Sequence, residues 1–499
     1  MEHFDVLIVG AGLSGVGAAV HLRQRCPGKS FVILEGRASM GGTWDLFRYP
    51  GIRSDSDMHT LGYSFKPWKQ AKSIADGPSI LDYVHETAAE YKIDEHIRYN
   101  HKAISAAWST ADAAWTVEAR RAHTGETVKI SCNLLYMCQG YYSYDGGFLP
   151  EFEGVSDFGG TVIHPQKWPT ELDYRGKNVI VIGSGATAMT LVPAMASDAA
   201  KVTMVQRSPT YVVSRPAQDA IANRLRKWLP EGLAYAITRW KNTTLGTYFY
   251  RQTRAKPQKT KEMILKGVRA ALGPDYDVDK HFTPSYNPWD QRLCLVPDAD
   301  LFAAINSGKA EVVTDHIDRF TKTGLKLKSG QELPADIIVT ATGLNMLALG
   351  GMTYSVDGEA VQFPKTWTYK GMMYSDVPNL VSTFGYINAS WTLRADLTAE
   401  YVCRLLNHMD EKGATRVTPR LRDGDRNMTP RLWIEGFSSG YMQRGLEQMP
   451  RQGDHAPWLN PQDFARDKKM IRKGALEDGA LVFDNPVAAK AARVLEAAE

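Results

Sequence analysis

The stretch "FDVLIVGAGLSGVGAAV", residues 4–20, decides the fold. Its apolar run Phe4–Val9 stops at Gly10, as a buried parallel strand does, and a helical pattern begins at Leu13. Between them Gly10, Gly12 and Gly15 make the pattern G-x-G-x-x-G, with Ser14 inside it. Such glycines let the chain turn tightly and bring backbone against a pyrophosphate seated on the helix N-terminus. Alone the pattern is weak. Here "FVILE", 31–35, supplies the next strand and ends on Glu35, an acid placed to accept a hydrogen bond from a ribose hydroxyl. The plainer alternative is a glycine turn in an ordinary α/β protein.

The same arrangement recurs mid-chain. "KNVIVIG", 177–183, leads into Gly183-Ser184-Gly185-Ala186-Thr187-Ala188, and "KVTMVQR", 201–207, comes next as a strand. Two copies this far apart indicate two nucleotide-binding domains rather than a solenoid. The second strand ends on Gln206-Arg207-Ser208, not on an acid. A carboxylate repels a 2′-phosphate, whereas arginine binds one through paired charged hydrogen bonds. The second site is therefore expected to prefer NADPH, with a surface arginine as the plainer reading. Glu35 suits the adenosine ribose of FAD, so the first site is assigned to FAD.

The expected fold class is α/β: two Rossmann-like dinucleotide-binding domains, for FAD and NADPH, with an inserted helical subdomain. Residues 1–143 and 346–499 would form the FAD domain, 144–215 and 290–345 the NADPH domain, and 216–289 the helical insertion. The strand texture of "DIIVTATG", 336–343, marks the return to the sheet. Within the insertion, residues 221–270 carry 12 Lys/Arg against two acids, with Trp228, Tyr235, Trp240 and Tyr248–Tyr250 interleaved. This is either the solvated face of the insertion or a surface that rests peripherally on a membrane.

Composition narrows the class. Hydrophobic residues are 43% and charged residues 23%, which suits a globular enzyme and gives no sign of disorder. A net charge of +4 over 499 residues is no nucleic-acid footprint. The five cysteines, at 26, 132, 138, 294 and 403, form no Cys-x-x-Cys pair, so a zinc site, a disulfide framework and a dithiol redox centre are not expected. No secretory signal is expected from the opening residues, and no apolar run approaches the roughly 18 residues that span a bilayer. A cytoplasmic protein is expected, with no metal and an oligomeric state left open.

Two further stretches stand out. "GGTWDLFRYPGIRSDSD", 41–57, reads as a structured loop and not a helix, either lining the flavin or simply packed. "FGGTVIHPQKWP", 158–169, reads as neither helix nor strand. Gly159-Gly160 would give it backbone freedom, and Pro165 and Pro169 would stiffen its C-terminal half. A metal role for His164 would need more ligands nearby, and the neighbouring candidates are weak. His164 is expected to form hydrogen bonds that set the angle between the domains.

These residues together resemble the class B flavoprotein monooxygenases, specifically the Baeyer–Villiger family. The family pattern F-x-G-x-x-x-H-x-x-x-W-P fits Phe158, Gly160, His164, Trp168 and Pro169. A second pattern fits Gly41, Gly42, Trp44, Tyr49, Pro50, Gly51 and Asp55. The segments "YNPWDQRLCLVP", 286–297, and "NASWTL", 388–393, resemble the ethionamide-activating subgroup.

The resemblance implies hydride transfer from NADPH to FAD and capture of O2 as a C4a-peroxyflavin. That species attacks a ketone to give an ester or lactone, or oxygenates a sulfide or thioamide. It implies Arg292 as the active-site arginine and Asp55 as the carboxylate that orients it. It also places Gly42, Thr43, Trp44, Asp45, Arg53, Ser54, Asp55 and Ala103 among the cofactor-binding residues. The chain departs from the family at two positions. Gln291 stands where many relatives carry the lysine that helps hold the 2′-phosphate, leaving that task to Arg207 and Ser208. Gly440 stands near the position of a late-loop tryptophan. An NADPH oxidase, an S- or N-oxygenase with little ketone activity, and a nucleotide sensor without catalysis are the competing functions.

Overall fold

The computed structural model describes residues 1–489. Two sheets carry the chain. The larger is nine-stranded, in the order 359–360, 353–356, 101–109, 114–121, 127–137, 2–9, 31–34, 97–98, with 380–382 also paired to 127–137. Glu2–Val9 runs parallel to both Phe31–Leu34 and Thr127–Met137. Their inner stretches, residues 6–9, 31–34 and 134–137, are apolar or aromatic and buried, as a parallel sheet covered on both faces requires. The helix Leu13–Arg25 is buried from Leu13 to Leu22, and Trp391–Lys412 packs beside it.

The smaller sheet has five parallel strands, in the order 310–314, 201–206, 178–182, 337–340, 161–163. Each sheet has its own buried cluster. Two paired ribbons mark where the chain passes between regions. Tyr142–Gly147, on the way to the second sheet, pairs antiparallel with Leu344–Met346, on the way back. Val212–Arg215 enters the helical insertion beside Cys294–Pro297, which leaves it. The insertion comprises helices Ala220–Trp228, Glu231–Ala255, Pro257–Leu272 and Val278–Phe282. No helix among the described residues is long and apolar enough to cross a membrane.

Three local expectations need correction. Thr43–Leu46 is one turn of helix rather than loop, begun at Gly42, whose φ of 56° no ordinary residue adopts cheaply. Thr161–Ile163 is a strand and Pro165–Lys167 a 3₁₀ turn. An edge strand of three residues is too short to show alternation in sequence. Gly159 and Gly160 do not serve backbone freedom, since neither has a positive φ. Gly160 is needed for space: a Cβ there would stand 2.3 Å from the Asp336 carbonyl oxygen.

Candidate active site

A cavity of about 290 Å³ lies between the sheets and draws its walls from both glycine-rich turns. Gly10, Gly12 and Ser14 line it from the first turn, and Ala186 and Thr187 from the second. Gly41, Gly42, Thr43, Trp44, Arg53, Ser54 and Asp55 close one side. The first turn is built for close approach. A Cβ on Gly15 would sit 1.8 Å from the Gly10 carbonyl oxygen, so only glycine lets this helix start so near the strand. Gly10 has φ +102°, and a Cβ there would meet the Cys138 carbonyl oxygen at 2.7 Å. On the same wall the Gln139 side-chain oxygen is buried without a hydrogen-bond partner. Bare backbone and an unanswered acceptor suit a bound dinucleotide.

The second turn differs. Gly183, at φ +134°, repeats the tight approach, 2.3 Å from the Ala341 carbonyl oxygen. Gly185 has open space around its Cβ position, and Ala188 fills the third glycine position without strain. Ser184 Oγ donates to the Ser208 carbonyl at 3.1 Å, which ties the turn to the strand end. Arg207 and Ser208 are exposed, and Gln206 turns inward to donate to the His281 carbonyl at 2.7 Å. A cationic side chain at an open strand end is free to meet a phosphate.

Asp55 and Arg292, 237 positions apart, meet at the cavity: Arg292 Nε lies 2.8 Å from Asp55 Oδ2. Arg292 arrives there because Cys294–Pro297 must pair with Val212–Arg215, which aims the preceding turn inward. A third of its side-chain surface remains exposed, on the cavity side. The Asp55 charge raises the guanidinium pKa further above its ordinary value, so the group is a permanent cation. Asp55 is held from the other direction. Gly51 leaves only 2.5 Å between its Cβ position and the Ala194 methyl, so this loop seats on a helix of the second domain. Its neighbour Arg53 is ion-paired with Asp300. Tyr49, buried at the same seam, has its phenol pKa pushed up to about 12, chiefly by desolvation.

Aromatic residues that motif reading assigned no role complete the cavity, among them Tyr141, Phe384, Trp391 and Tyr441. Tyr141 stacks on Trp391, 5.3 Å between centroids at 20°, and Phe384 packs on both. Trp391 Nε1 donates to Ser14 Oγ at 2.7 Å, which ties this wall to the first turn. Tyr441 faces Tyr141 and Arg292; burial raises its phenol pKa and the arginine charge pulls it back. It sits one residue beyond Gly440, and its loop is anchored by Ser438 N donating to the Asp290 carbonyl at 2.7 Å. The neighbouring Gly440 was the sequence signal for this loop.

His164 lies at the ribbon between domains. Its Nε2 is 3.1 Å from the Gly343 carbonyl oxygen, and its Nδ1 accepts from Gln166 N at 3.2 Å. Nε2 must then carry the proton. Burial lowers its pKa, consistent with that neutral form. The ring fills the space beside Gly147, where a Cβ would overlap it at 1.9 Å. Gln166 Nε2 donates to the Ser143 carbonyl at 2.6 Å, so His164 and Gln166 grip both strands of the ribbon.

Not every expected residue reaches the cavity. Gly15, Glu35, Asp45 and Ala103 do not line it, nor do Gly183, Ser184, Gly185, Ala188, Arg207 or Ser208. Glu35 accepts from Ala11 N at 2.9 Å and Arg37 N at 3.0 Å, one bond per oxygen, and burial raises its pKa. Each oxygen keeps a second lone pair. Asp45 is engaged by Arg37 at 2.6 Å, by Ser39 Oγ at 2.7 Å and by Arg48. It braces the loop from below. Ala103 is buried in the strand His101–Ser109.

The chain matches known proteins over nearly its whole length. The flavin-binding monooxygenase-like family model matches residues 69–263, and the NAD(P)-binding Rossmann-like domain model matches residues 8–76. The chain is 56% identical to the FAD-containing monooxygenase EthA of Mycobacterium tuberculosis, over 97% of this chain and 98% of that protein. It is 48% identical to the probable FAD-binding monooxygenase AlmA of Acinetobacter baylyi, over 97% and 96%. The fold matches that of an oxidized steroid monooxygenase bound to NADP, with a TM-score of 0.77 at 22% identity, over 97% of this chain and all of that one.

Proposed function

Since the chain belongs to the EthA group of FAD-containing monooxygenases, within the class B or Baeyer–Villiger flavoproteins, we propose that it converts ketones to esters or lactones. FAD sits at the first turn, NADPH at the second, and soft sulfur in sulfides or thioamides is a further substrate. The balance is ketone, O2, NADPH and a proton in; ester, water and NADP+ out. When bound and reduced, the flavin supplies the activation of O2. The observation that carries the reading is the Arg292–Asp55 pair inside a cavity shared by two dinucleotide turns.

The chain's own residues do the rest. Arg292 presents a permanent positive charge where negative charge develops on the substrate carbonyl oxygen, a preorganised stabilisation worth about 3–4 kcal/mol in comparable sites. Asp55 fixes its orientation and keeps it from turning into solvent. Tyr141, Phe384, Trp391 and Tyr441 give the apolar wall against which a ketone packs, and Tyr441 faces the arginine. Arg207 and Ser208 select the 2′-phosphate, and Glu35 the flavin ribose. His164 and Gln166 set the ribbon on which the two halves meet. Residues 1–143 and 346–499 serve the flavin, 144–215 and 290–345 the nicotinamide nucleotide, and 216–289 caps them. Cysteine usage points to a cytoplasmic enzyme.

The test is a product assay with purified enzyme, NADPH and a panel of linear, cyclic and aryl ketones plus one sulfide. Ester or lactone from at least one ketone is expected. Sulfoxide with no ester would make it an S-oxygenase. Hydrogen peroxide matching NADPH consumption, with no oxygenated product, would make it an oxidase.

A further inference from the structure

Helix Glu231–Ala255 has two contrasting faces. Its inner face carries Ala234, Tyr235 and Thr238, all buried, and Arg239, which donates to the His59 carbonyl at 2.9 Å, the Gly62 carbonyl at 2.7 Å and Asp396 Oδ2 at 3.2 Å. That face is fully partnered by the flavin half. Its outer face carries Leu233, Ile237, Trp240 and Tyr248, at spacings of 4, 3 and 8 that keep them on one stripe. Trp240 is 68% exposed, Tyr248 62% and Leu233 50%. The preceding helix adds Ile221 and, at 81% exposure, Trp228, with Arg224 on the same stripe. Of the thirteen large apolar side chains left exposed among the described residues, eight fall between 221 and 263.

A merely solvated face would turn these tryptophans inward and its lysines outward. The insertion turns both outward. Between 221 and 270 its 12 Lys/Arg stand against two acids; Arg239, Lys241, Arg251, Arg254 and Arg269 are paired with acids from outside that stretch, whereas Arg224 and Lys227 are exposed with no salt bridge among the described residues. Tryptophan and tyrosine rimmed by cations is the composition of a helix lying in the lipid interface, where indole prefers the headgroup level and cations meet anionic lipid. A second protein copy would bring the same excess of positive charge against itself, which disfavours that occupant.

The geometry points to an anionic bilayer surface as the partner of this face, with helices Ala220–Trp228 and Glu231–Ala255 lying in the headgroup plane. The same helix reaches His59–Gly62 through Arg239, and Leu61 of that segment lines the cavity. The lipid face is thus roughly one helix diameter, about 10 Å, from the cavity wall. The inference stands on surface chemistry and does not depend on the reaction assigned above.

The experiment is co-sedimentation of the holoenzyme with vesicles of phosphatidylcholine alone or with a third phosphatidylglycerol, at low and high salt. Binding is expected to the anionic vesicles only, weakened by salt. Trp228→Ser combined with Trp240→Ser should weaken it about tenfold or more, and Arg224→Gln or Lys227→Gln about fivefold each. All three variants should keep their flavin content. Absence of binding to anionic vesicles at low salt, or binding unchanged in the tryptophan variant, would overturn the inference. So would a dimer, seen by sedimentation velocity, that the tryptophan variant dissolves, since the face would then belong to a second copy.

Discussion

The two glycine-rich turns share a pattern and differ in what surrounds it. The first is closed: Gly15 leaves 1.8 Å to the Gly10 carbonyl, Ser14 is bonded to Trp391, and Glu35 is buried at the strand end. The second is open: Gly185 has nothing near its Cβ position, Ala188 replaces the last glycine, and Arg207 is exposed. On the proposed assignment, the difference separates the nucleotide that stays from the one that leaves. A turn sealed by core packing suits a resident flavin. A turn open to solvent, with a cation at its edge, suits a nucleotide that must exchange at every turnover.

The comparison breaks most visibly at the third glycine position. Gly15→Ala forces the helix off its strand and should cost about 3 kcal/mol or more, with loss of flavin, read by thermal unfolding and absorbance of the purified protein. The mirror change, Ala188→Gly, should cost only about 1 kcal/mol from helix propensity and leave the flavin bound. Equal effects from the two changes would mean that the turns do not differ as described. The next effect is smaller. Arg207→Ala removes the proposed charged partner of the 2′-phosphate, so kcat/KM for NADPH relative to NADH should fall about tenfold or more; an unchanged ratio would refute that role. Smallest is the seam between the turns. His164→Ala leaves the Gly343 carbonyl without its donor and should cost about 1–2 kcal/mol, lowering product formed per NADPH more than flavin content. If it abolished ester while flavin reduction by NADPH stayed intact, His164 would have a direct chemical role.

The glycines of both turns and the strands around them were legible because their pattern is local and its context falls within about thirty residues. Asp55 and Arg292 were legible only through resemblance to a family, since nothing local marks a carboxylate and a guanidinium 237 positions apart as partners. Tyr141, Phe384 and Tyr441 were missed, and Trp391 stood inside the segment 388–393 without a role. They come from three distant segments, and no spacing rule joins an aromatic wall that only tertiary packing assembles. Asp45 illustrates the converse: the resemblance placed it among the cofactor-binding residues, and in the fold Arg37, Ser39 and Arg48 engage its carboxylate. The basic, aromatic run at 221–270 was visible as composition. Only the fold decides that Trp228 and Trp240 point outward, because two faces of a helix are equivalent until one of them is packed.

The most direct measurement concerns Arg292, where both halves of the molecule converge on the reaction. Arg292→Ala should keep its flavin and still consume NADPH, while ester formation from a ketone that the unaltered enzyme accepts falls by about a hundredfold or more. Ester formation at the original rate in that variant would contradict the assignment of this cavity as the site of oxygen insertion.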